Sequence, residues 1–169
     1  RETYLHRFNI AELWSAVGVL LHFFPEVAGN LDFVGGSFGG GIGAMVIPWD
    51  KRFRRAYLDM PSFGHHPIRL QCTCVGSGEA VRLLYQRKPE IAETLRYFDA
   101  ATHSLFTTLP TFAAPALFDP AVPPPGQFAV ANALKCPKEI FVRQAAHFDW
   151  AGAASEHEAL VARLVKWFE

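Results

Sequence analysis

One short segment constrains the fold of this chain more than any other: an apolar run that leads directly into glycines on both sides of a serine. Residues 31–34 have the composition of a short β-strand, and residues 35–41 read Gly-Gly-Ser-Phe-Gly-Gly-Gly. The G-x-S-x-G pattern centred on Ser37 is typical of a nucleophile elbow, a sharp turn between a strand and a helix. Gly35 and Gly39 stand two residues on either side of Ser37, where larger side chains would collide in such a turn.

The predicted elbow assigns chemistry to two residues. The Ser37 hydroxyl would project from the carboxyl end of the sheet, where it could act as a nucleophile. The backbone N–H of Phe38, at the N-terminus of the following helix, would point at the negative charge that develops on an attacked carbonyl oxygen. We therefore expect Ser37 to be a nucleophile and the Phe38 N–H to belong to an oxyanion hole.

Two other interpretations of this segment stay open. A glycine-rich turn can serve only to let the backbone approach a neighbour closely, and G-x-S-x-G alone also occurs by chance. Gly39, Gly41 and Ala44 satisfy a dinucleotide-binding fingerprint, and Asp59 follows Gly39 by about 20 residues, where a ribose-binding carboxylate belongs. That fingerprint should begin where the strand ends, however, whereas residues 35–38 intervene here, so the sequence favours the elbow.

Hydrophobic spacing predicts alternating helices and strands. Apolar residues recur every three or four positions over residues 9–24, which predicts a helix with Asn9 and Glu12 as its capping box and Pro25 as its end. A strand is predicted over residues 55–60, at the spacing of a parallel β-α-β unit. Farther along we predict strands over residues 111–118 and 138–144, a helix opened by Pro125, and a last helix after a capping box of Ser155 and Glu158.

Residues 61–98 lose this alternation. Prolines and glycines break the segment, and only two short helical patterns remain, near residues 79–87 and 91–98. We interpret it as an insertion that leaves the sheet. The chain as a whole, residues 1–169, is predicted to form a single α/β domain, a three-layer sandwich with a mostly parallel sheet.

A serine nucleophile needs a base and an acid, which on this kind of fold follow in the order serine, acid, histidine. Asp119 ends the predicted strand over residues 111–118, and His147 lies just past the strand over residues 138–144. Because the carboxyl ends of parallel strands lie at one edge, we expect both side chains near Ser37. Asp149 and Asp59 are rival acids, and Asp119 could alternatively be only a turn residue.

Composition and charge exclude several classes of function. The chain has 16 basic and 16 acidic residues with no basic stripe, so we expect no nucleic-acid partner. Its apolar runs are too short to span a membrane.

The three cysteines do not resemble a disulfide framework, and no signal peptide stands at the start, so we expect a cytoplasmic location. No metal or cofactor is expected, because the His65-His66 pair and Cys72-x-Cys74 lack the spacing of zinc sites.

Taken together, these residues resemble the acetyl xylan esterases and cephalosporin C deacetylases, a family of α/β-hydrolases. The resemblance lies in blocks that occur in family order across essentially the whole chain: residues 34–40, 59–63 with a histidine soon after, 95–99, 116–119 followed by paired prolines, 127–129, and 146–147. Together the blocks are far more specific than any one of them.

The resemblance implies a function as well as a fold. It implies an α/β-hydrolase in which Ser37 is the nucleophile, Asp119 the acid and His147 the base. Members of the family remove acetyl groups from small acetylated carbohydrates such as xylo-oligosaccharides and, in some cases, from an acetylated antibiotic. Their homo-oligomers often enclose the active sites. Residues 61–98 would correspond to the family's insertion near the substrate pocket.

The chain departs from the family pattern in two ways. Phe38 stands where the family usually has glutamine, so the side-chain contribution of that position to the pocket is not expected. The chain also resembles only the C-terminal half of the family's domain, without the N-terminal strands and the loop that supplies a second oxyanion donor. We therefore expect an unpaired apolar strand edge at residues 31–34. An alternative function is a non-catalytic or truncated module that pairs with another chain or with an N-terminal segment.

Overall fold

The computed structural model describes residues 2–169, which form an alternating α/β structure. The helices and strands are α1 (Leu5–Phe23), β1 (Leu31–Gly36), α2 (Ser37–Val46), β2 (Phe53–Asp59), α3 (His66–Arg69), α4 (Ser77–Arg87), α5 (Ala92–Leu95), α6 (Ala100–Ser104), β3 (Thr111–Ala114), β4 (Ala116–Phe118), α7 (Pro124–Ala133), β5 (Lys138–Ile140), β6 (Arg143–Ala145) and α8 (Ala153–Phe168). Within these residues, no helix combines the length and apolar character needed to cross a bilayer.

The main sheet is parallel and has the strand order β1-β2-β3-β5, and a second parallel pair joins β4 to β6. The two sheets lie end to end, because β4 follows β3 after a single residue, Pro115. Proline has no backbone N–H to donate to a ladder, so the predicted continuous strand over residues 111–118 is broken at this position. The predicted strand over residues 138–144 is likewise split, at residues 141–142.

Both faces of the sheet are buried, which gives the predicted three layers. Successive residues of β2 point to opposite faces: Ala56 and Leu58 pack with α2, α6 and α7, whereas Tyr57 packs with Phe112 and with Leu160 of α8. A strand buried on both faces is apolar at every position, as residues 56–58 are. The layers leave the carboxyl ends of the strands at one open edge.

Strand β1 is an edge strand. It pairs with β2 on one side, and within residues 2–169 no strand pairs with it on the other. Val34 is 64% exposed on this strand, whereas Phe33 is buried. The unpaired edge predicted at residues 31–34 is therefore present in the described part of the chain, and Val34 is its exposed apolar side chain.

Two predicted capping boxes are wrong. Helix α1 begins at Leu5 and not at Asn9, because His6 packs its ring on Phe63 at a centroid distance of 4.3 Å and extends the helix by a turn. Helix α8 begins at Ala153, so Ser155 lies inside it and donates its hydroxyl hydrogen bond to the Gly152 carbonyl. Both helices start earlier than the local pattern indicates, and for α1 a contact with a distant segment accompanies the change.

Residues 61–98 are all described, and none of them belongs to a strand. The segment contains the short helices α3 and α5 and the longer helix α4. Helix α3 packs against α7 and α5, so the segment lies over the α7 end of the domain.

Candidate active site

Ser37 lies at the junction between a strand and a helix, since β1 ends at Gly36 and α2 begins at Ser37. Its φ of 50° is in the left-handed region, which costs a non-glycine residue on the order of 1 to 3 kcal/mol. The Ser37 carbonyl accepts a hydrogen bond of 3.0 Å from the Ser62 N–H, which helps to hold the turn. The predicted strand, turn and helix are thus present, and the strain is at the serine itself.

Close backbone packing at this turn explains two of its glycines. A Cβ on Gly35 would lie 2.8 Å from the Gly39 carbonyl oxygen, and a Cβ on Gly40 would lie 2.9 Å from the Gly35 carbonyl oxygen. A Cβ on Gly39 would meet nothing within 4 Å. The expectation that Gly39 must be small is therefore wrong for this chain, and Gly40 has that role instead, because the helix axis brings Gly40 over the strand.

His147 joins the serine to a carboxylate. Its Nε2 lies 3.0 Å from Ser37 Oγ, and its Nδ1 lies 2.9 and 2.8 Å from the two carboxylate oxygens of Asp119. An ionised carboxylate only accepts hydrogen bonds, so Nδ1 donates to Asp119 and Nε2 is left to accept the serine proton. The structure thus brings together the three side chains that the sequence placed at separate strand ends.

The Asp119 carboxylate is buried and accepts several hydrogen bonds besides those of His147. Its side chain is fully buried, and Oδ1 accepts hydrogen bonds of 2.9 Å from the N–H groups of Ala121 and Val122. Asp119 is therefore a turn residue and the histidine's partner at once. The Gln127 side chain donates to Asp119 Oδ2 at 2.8 Å. Sequence reasoning assigned Gln127 no role, although residues 127–129 are one of the blocks shared with the family; the structure shows its side chain fully buried.

The rival acids are engaged elsewhere or exposed. Asp59 accepts two hydrogen bonds, of 3.0 and 2.8 Å, from Arg143 Nη1. Burial raises the pKa of the Asp59 carboxyl, and the positive charge of Arg143 opposes that shift. Asp149 is exposed.

The structure contradicts the dinucleotide interpretation. Gly39, Gly41 and Ala44 lie inside α2, which already begins at Ser37, so no glycine turn is available to cradle a pyrophosphate. The Asp59 carboxylate, which that interpretation assigned to a ribose, instead forms an ion pair with Arg143.

Three of the four histidine and cysteine side chains in question, those of His65, His66 and Cys72, form hydrogen bonds with backbone groups. His66 Nε2 lies 3.0 Å from the Phe98 carbonyl oxygen, and His65 Nδ1 accepts from the Ile68 N–H at the start of α3. Cys72 Sγ donates to the Ile68 carbonyl. Among residues 2–169, no three His, Cys, Asp or Glu side chains are grouped as metal ligands.

Ser37 and His147 open onto a cavity of about 200 Å³. The cavity is walled by Phe38 and Phe63, whose rings meet edge to face at 5.2 Å, and by residues 75–78 and 121–123. The Phe38 N–H is among the first N–H groups of α2, which have no partner within the helix. The site therefore combines a hydroxyl, an acceptor nitrogen aligned with it, and a helix N-terminus beside them.

Solved structures share this arrangement of elements. An acetyl xylan esterase from Paenibacillus sp. R4 is 25% identical with a TM-score of 0.68 over 82% of this chain and 45% of its own. Acetyl xylan esterase 1 from Thermoanaerobacterium sp. JW/SL YS485 is 20% identical with a TM-score of 0.63 over 76% of this chain and 43% of its own. The chain thus spans less than half the length of these two enzymes.

A more distant structure shows the fold alone. The acylaminoacyl peptidase of Pyrococcus horikoshii is 12% identical, with a TM-score of 0.73 over 94% of this chain and 27% of its own. The architecture is accordingly that of the α/β-hydrolases, as predicted. No curated protein sequence matches the chain. The sequence model of the acetyl xylan esterase family matches residues 1–160, and the chain therefore belongs to that family.

Proposed function

We propose that this chain carries the catalytic serine, histidine and aspartate of an esterase that removes acetyl groups from acetylated sugars, xylo-oligosaccharides or related small acetyl esters. The observation that carries the proposal is the continuous line of hydrogen-bonding atoms from Ser37 through His147 to Asp119, with distances of 2.8 to 3.0 Å. Family membership over residues 1–160 supports the acetyl ester as substrate class.

The proposed reaction has two steps. Ser37 Oγ attacks the acetyl carbonyl carbon while His147 Nε2 takes the serine proton, and the Asp119 carboxylate stabilises the imidazolium that forms. The tetrahedral intermediate collapses, the alcohol oxygen takes the proton from His147, and the acetyl group stays on Ser37. Water then attacks the acyl-enzyme with the same proton transfers and releases acetate. No metal or organic cofactor takes part in these steps.

The Phe38 N–H is the oxyanion donor that the proposal assigns. Removing one donor from an oxyanion hole costs on the order of 10²- to 10³-fold in rate. We therefore expect the chain by itself to turn over esters slowly if a second donor lies outside it.

Residues 61–98 are proposed to be the insertion that shapes the substrate pocket. Phe63, Arg69 and Gly78 belong to this segment and line the cavity beside Ser37. On this proposal, residues 1–169 act as one domain in which the sheet positions the three catalytic side chains and the insertion selects the alcohol.

The first test is labelling with a fluorophosphonate probe, located by mass spectrometry. We expect one adduct, on Ser37, that is absent from the Ser37→Ala variant and unchanged in Ser62→Ala, since Ser62 is a second serine of the same cavity. Labelling that persists in Ser37→Ala would refute the nucleophile. Acetylated xylo-oligosaccharides then test the substrate class by release of acetate.

A second candidate function, a module that pairs with another chain through β1, is favoured by one observation. Val34 is 64% exposed on an edge strand, and such an edge is a template for strand addition. The discriminating result is a stoichiometric complex with an N-terminal segment that survives Ser37→Ala and weakens in Val34→Lys.

A further inference from the structure

The cavity beside Ser37 is lined by a buried arginine that forms no ion pair with another side chain described in residues 2–169. Arg69, the last residue of α3, is only 4% exposed, and its Nη1 is buried without a hydrogen-bond partner. Within residues 2–169, no carboxylate forms an ion pair with this guanidinium. Burying a charge without a partner costs several kcal/mol, and a bound ligand of opposite charge would recover part of that cost.

The carboxylate of Asp99, near Arg69, already accepts hydrogen bonds from other groups. Asp99 lies close enough to Arg69 to interact electrostatically, but its carboxylate accepts hydrogen bonds from the N–H groups of His65, His66, Ala101 and Thr102. Burial lowers the pKa of the Arg69 guanidinium. Asp99 thus interacts with the guanidinium without forming an ion pair, and the pKa of Arg69 stays below its usual value.

The N-terminus of α4, a second source of positive potential, lines the same cavity as Arg69. Residues 76–78 line it at the N-terminus of α4, a helix of 11 residues whose N-cap, Gly76, offers no side-chain cap. A Cβ built on Gly78 would lie 3.8 Å from Arg69 Nη1, so the guanidinium lies against the first turn of α4. The first-turn carboxylate of Glu79 is turned to Arg82 and to the Cys74 N–H. A helix N-terminus and an arginine together form a site for an anion.

Resting on the function proposed above, we propose that this end of the cavity binds a carboxylate of the substrate. The substrate class is then an acetyl ester whose alcohol part carries a carboxylate. Its acetyl carbonyl would lie at Ser37, and its carboxylate would lie between Arg69 and the first turn of α4. Arginine suits this role because its planar fork matches a carboxylate with two parallel hydrogen bonds.

Binding tests this proposal without relying on turnover. In the Ser37→Ala chain, calorimetry compares 4-hydroxybenzoate with its neutral isostere 4-hydroxybenzamide. We expect the Ser37→Ala chain to bind the carboxylate at least tenfold more tightly than the amide. This preference should vanish in Ser37→Ala/Arg69→Gln. It should persist in the control Ser37→Ala/Arg163→Gln, which removes an equal charge from α8. Equal binding of the two compounds, no detectable binding of the carboxylate, or a preference that survives Arg69→Gln would overturn the proposal.

A second measurement keeps Arg69 in place, in case Arg69→Gln does not fold. Titration of the Ser37→Ala chain with 4-hydroxybenzoate should shift the backbone amide NMR signals of residues 76–78 most strongly. Largest shifts at any other place would overturn the site.

The catalytic comparison separates this inference from the proposed function. We expect the kcat/KM ratio of 4-acetoxybenzoate to 4-acetoxybenzamide to fall at least tenfold in Arg69→Gln, whereas Arg163→Gln leaves it unchanged. If both esters are hydrolysed and Arg69→Gln leaves the kcat/KM ratio unchanged, the carboxylate site is refuted but the esterase function is not. Absence of any hydrolysis refutes the esterase and leaves the binding experiment to decide on the site.

Discussion

Gln127 Nε2 donates a hydrogen bond of 2.8 Å to Asp119 Oδ2, one of the two oxygens that face His147. The same nitrogen donates to the Val122 carbonyl at 2.7 Å, and Gln127 Oε1 accepts from the Ala116 N–H at 2.8 Å. A single fully buried amide therefore ties the start of β4 to the loop that carries the proposed acid. Neither a leucine nor an ionised glutamate at this position could both donate and accept hydrogen bonds, as the amide does.

Replacing Gln127 should affect stability and reactivity together. In Gln127→Met the buried Ala116 N–H and Val122 carbonyl lose their partners, and we expect the free energy of unfolding in urea to fall by about 1 to 3 kcal/mol. The rate of Ser37 labelling by a fluorophosphonate should fall as well, because Asp119 loses a donor that orients it. Gln144→Met, at an exposed position of β6, is the matched control and should change stability by no more than about 0.5 kcal/mol. Equal stability of the two variants would contradict the role given to Gln127.

The two aspartates that compete for the role of acid should respond in opposite ways. Asp119→Asn should slow Ser37 labelling by on the order of 10³- to 10⁴-fold with little change in fold, because the amide cannot stabilise the imidazolium. Asp59→Asn should change labelling less than threefold. It should instead lower the free energy of unfolding by about 1 to 3 kcal/mol, because Arg143 loses two charge-assisted hydrogen bonds and keeps only Glu156 as an ion-pair partner. A loss of labelling confined to Asp59→Asn would reverse the assignment.

Neighbouring glycines of the elbow should differ in their tolerance of alanine. A Cβ on Gly40 would lie 2.9 Å from the Gly35 carbonyl oxygen and 3.1 Å from the Asp59 carbonyl oxygen, so Gly40→Ala should cost about 1 to 3 kcal/mol in urea unfolding. A Cβ on Gly39 meets nothing, and alanine is the better helix former. We therefore expect Gly39→Ala to be neutral or to stabilise by up to about 1 kcal/mol. The reverse order would show that the turn is packed differently.

Mild acid should destabilise the aromatic cluster around His6. Burial, with the nearby positive charges of His66 and Arg69, lowers the pKa of His6 from 6.5 to about 4. The unfolded chain thus binds more protons than the folded one between these values, and stability falls as the pH drops from 6.5 towards 4. Solvent partly screens the charge, so we expect His6 to account for about 1 to 2 kcal/mol of the loss.

A pair of histidine variants tests this expectation. Urea unfolding from pH 7 to pH 4.5 should show a shallower pH dependence in His6→Gln than in the unsubstituted chain. His157→Gln, at an exposed position of α8, should leave the dependence unchanged. Identical slopes for all three proteins would show that His6 does not titrate as described.

Local patterns along the chain were enough to predict the alternation of elements and the place of the elbow. Apolar spacing, glycine and proline act over three or four residues, so they reveal where a strand ends and a helix begins near Ser37. They also place Asp119 and His147 after separate strands, and the rule that parallel strands end at one edge then predicts their proximity. The family blocks, spread over the chain, pointed to the same three residues.

Which partner each of several similar residues has depends on how distant parts of the chain pack together. Asp59 and Asp119 both follow strands, yet Arg143 of β6 reaches one and His147 the other, and the register between distant strands sets that choice. The start of α1, the support from Gln127 and the unpaired charge of Arg69 likewise depend on contacts between segments far apart in the chain. Local propensity cannot encode such contacts, because the packing of the whole domain determines which side chains meet.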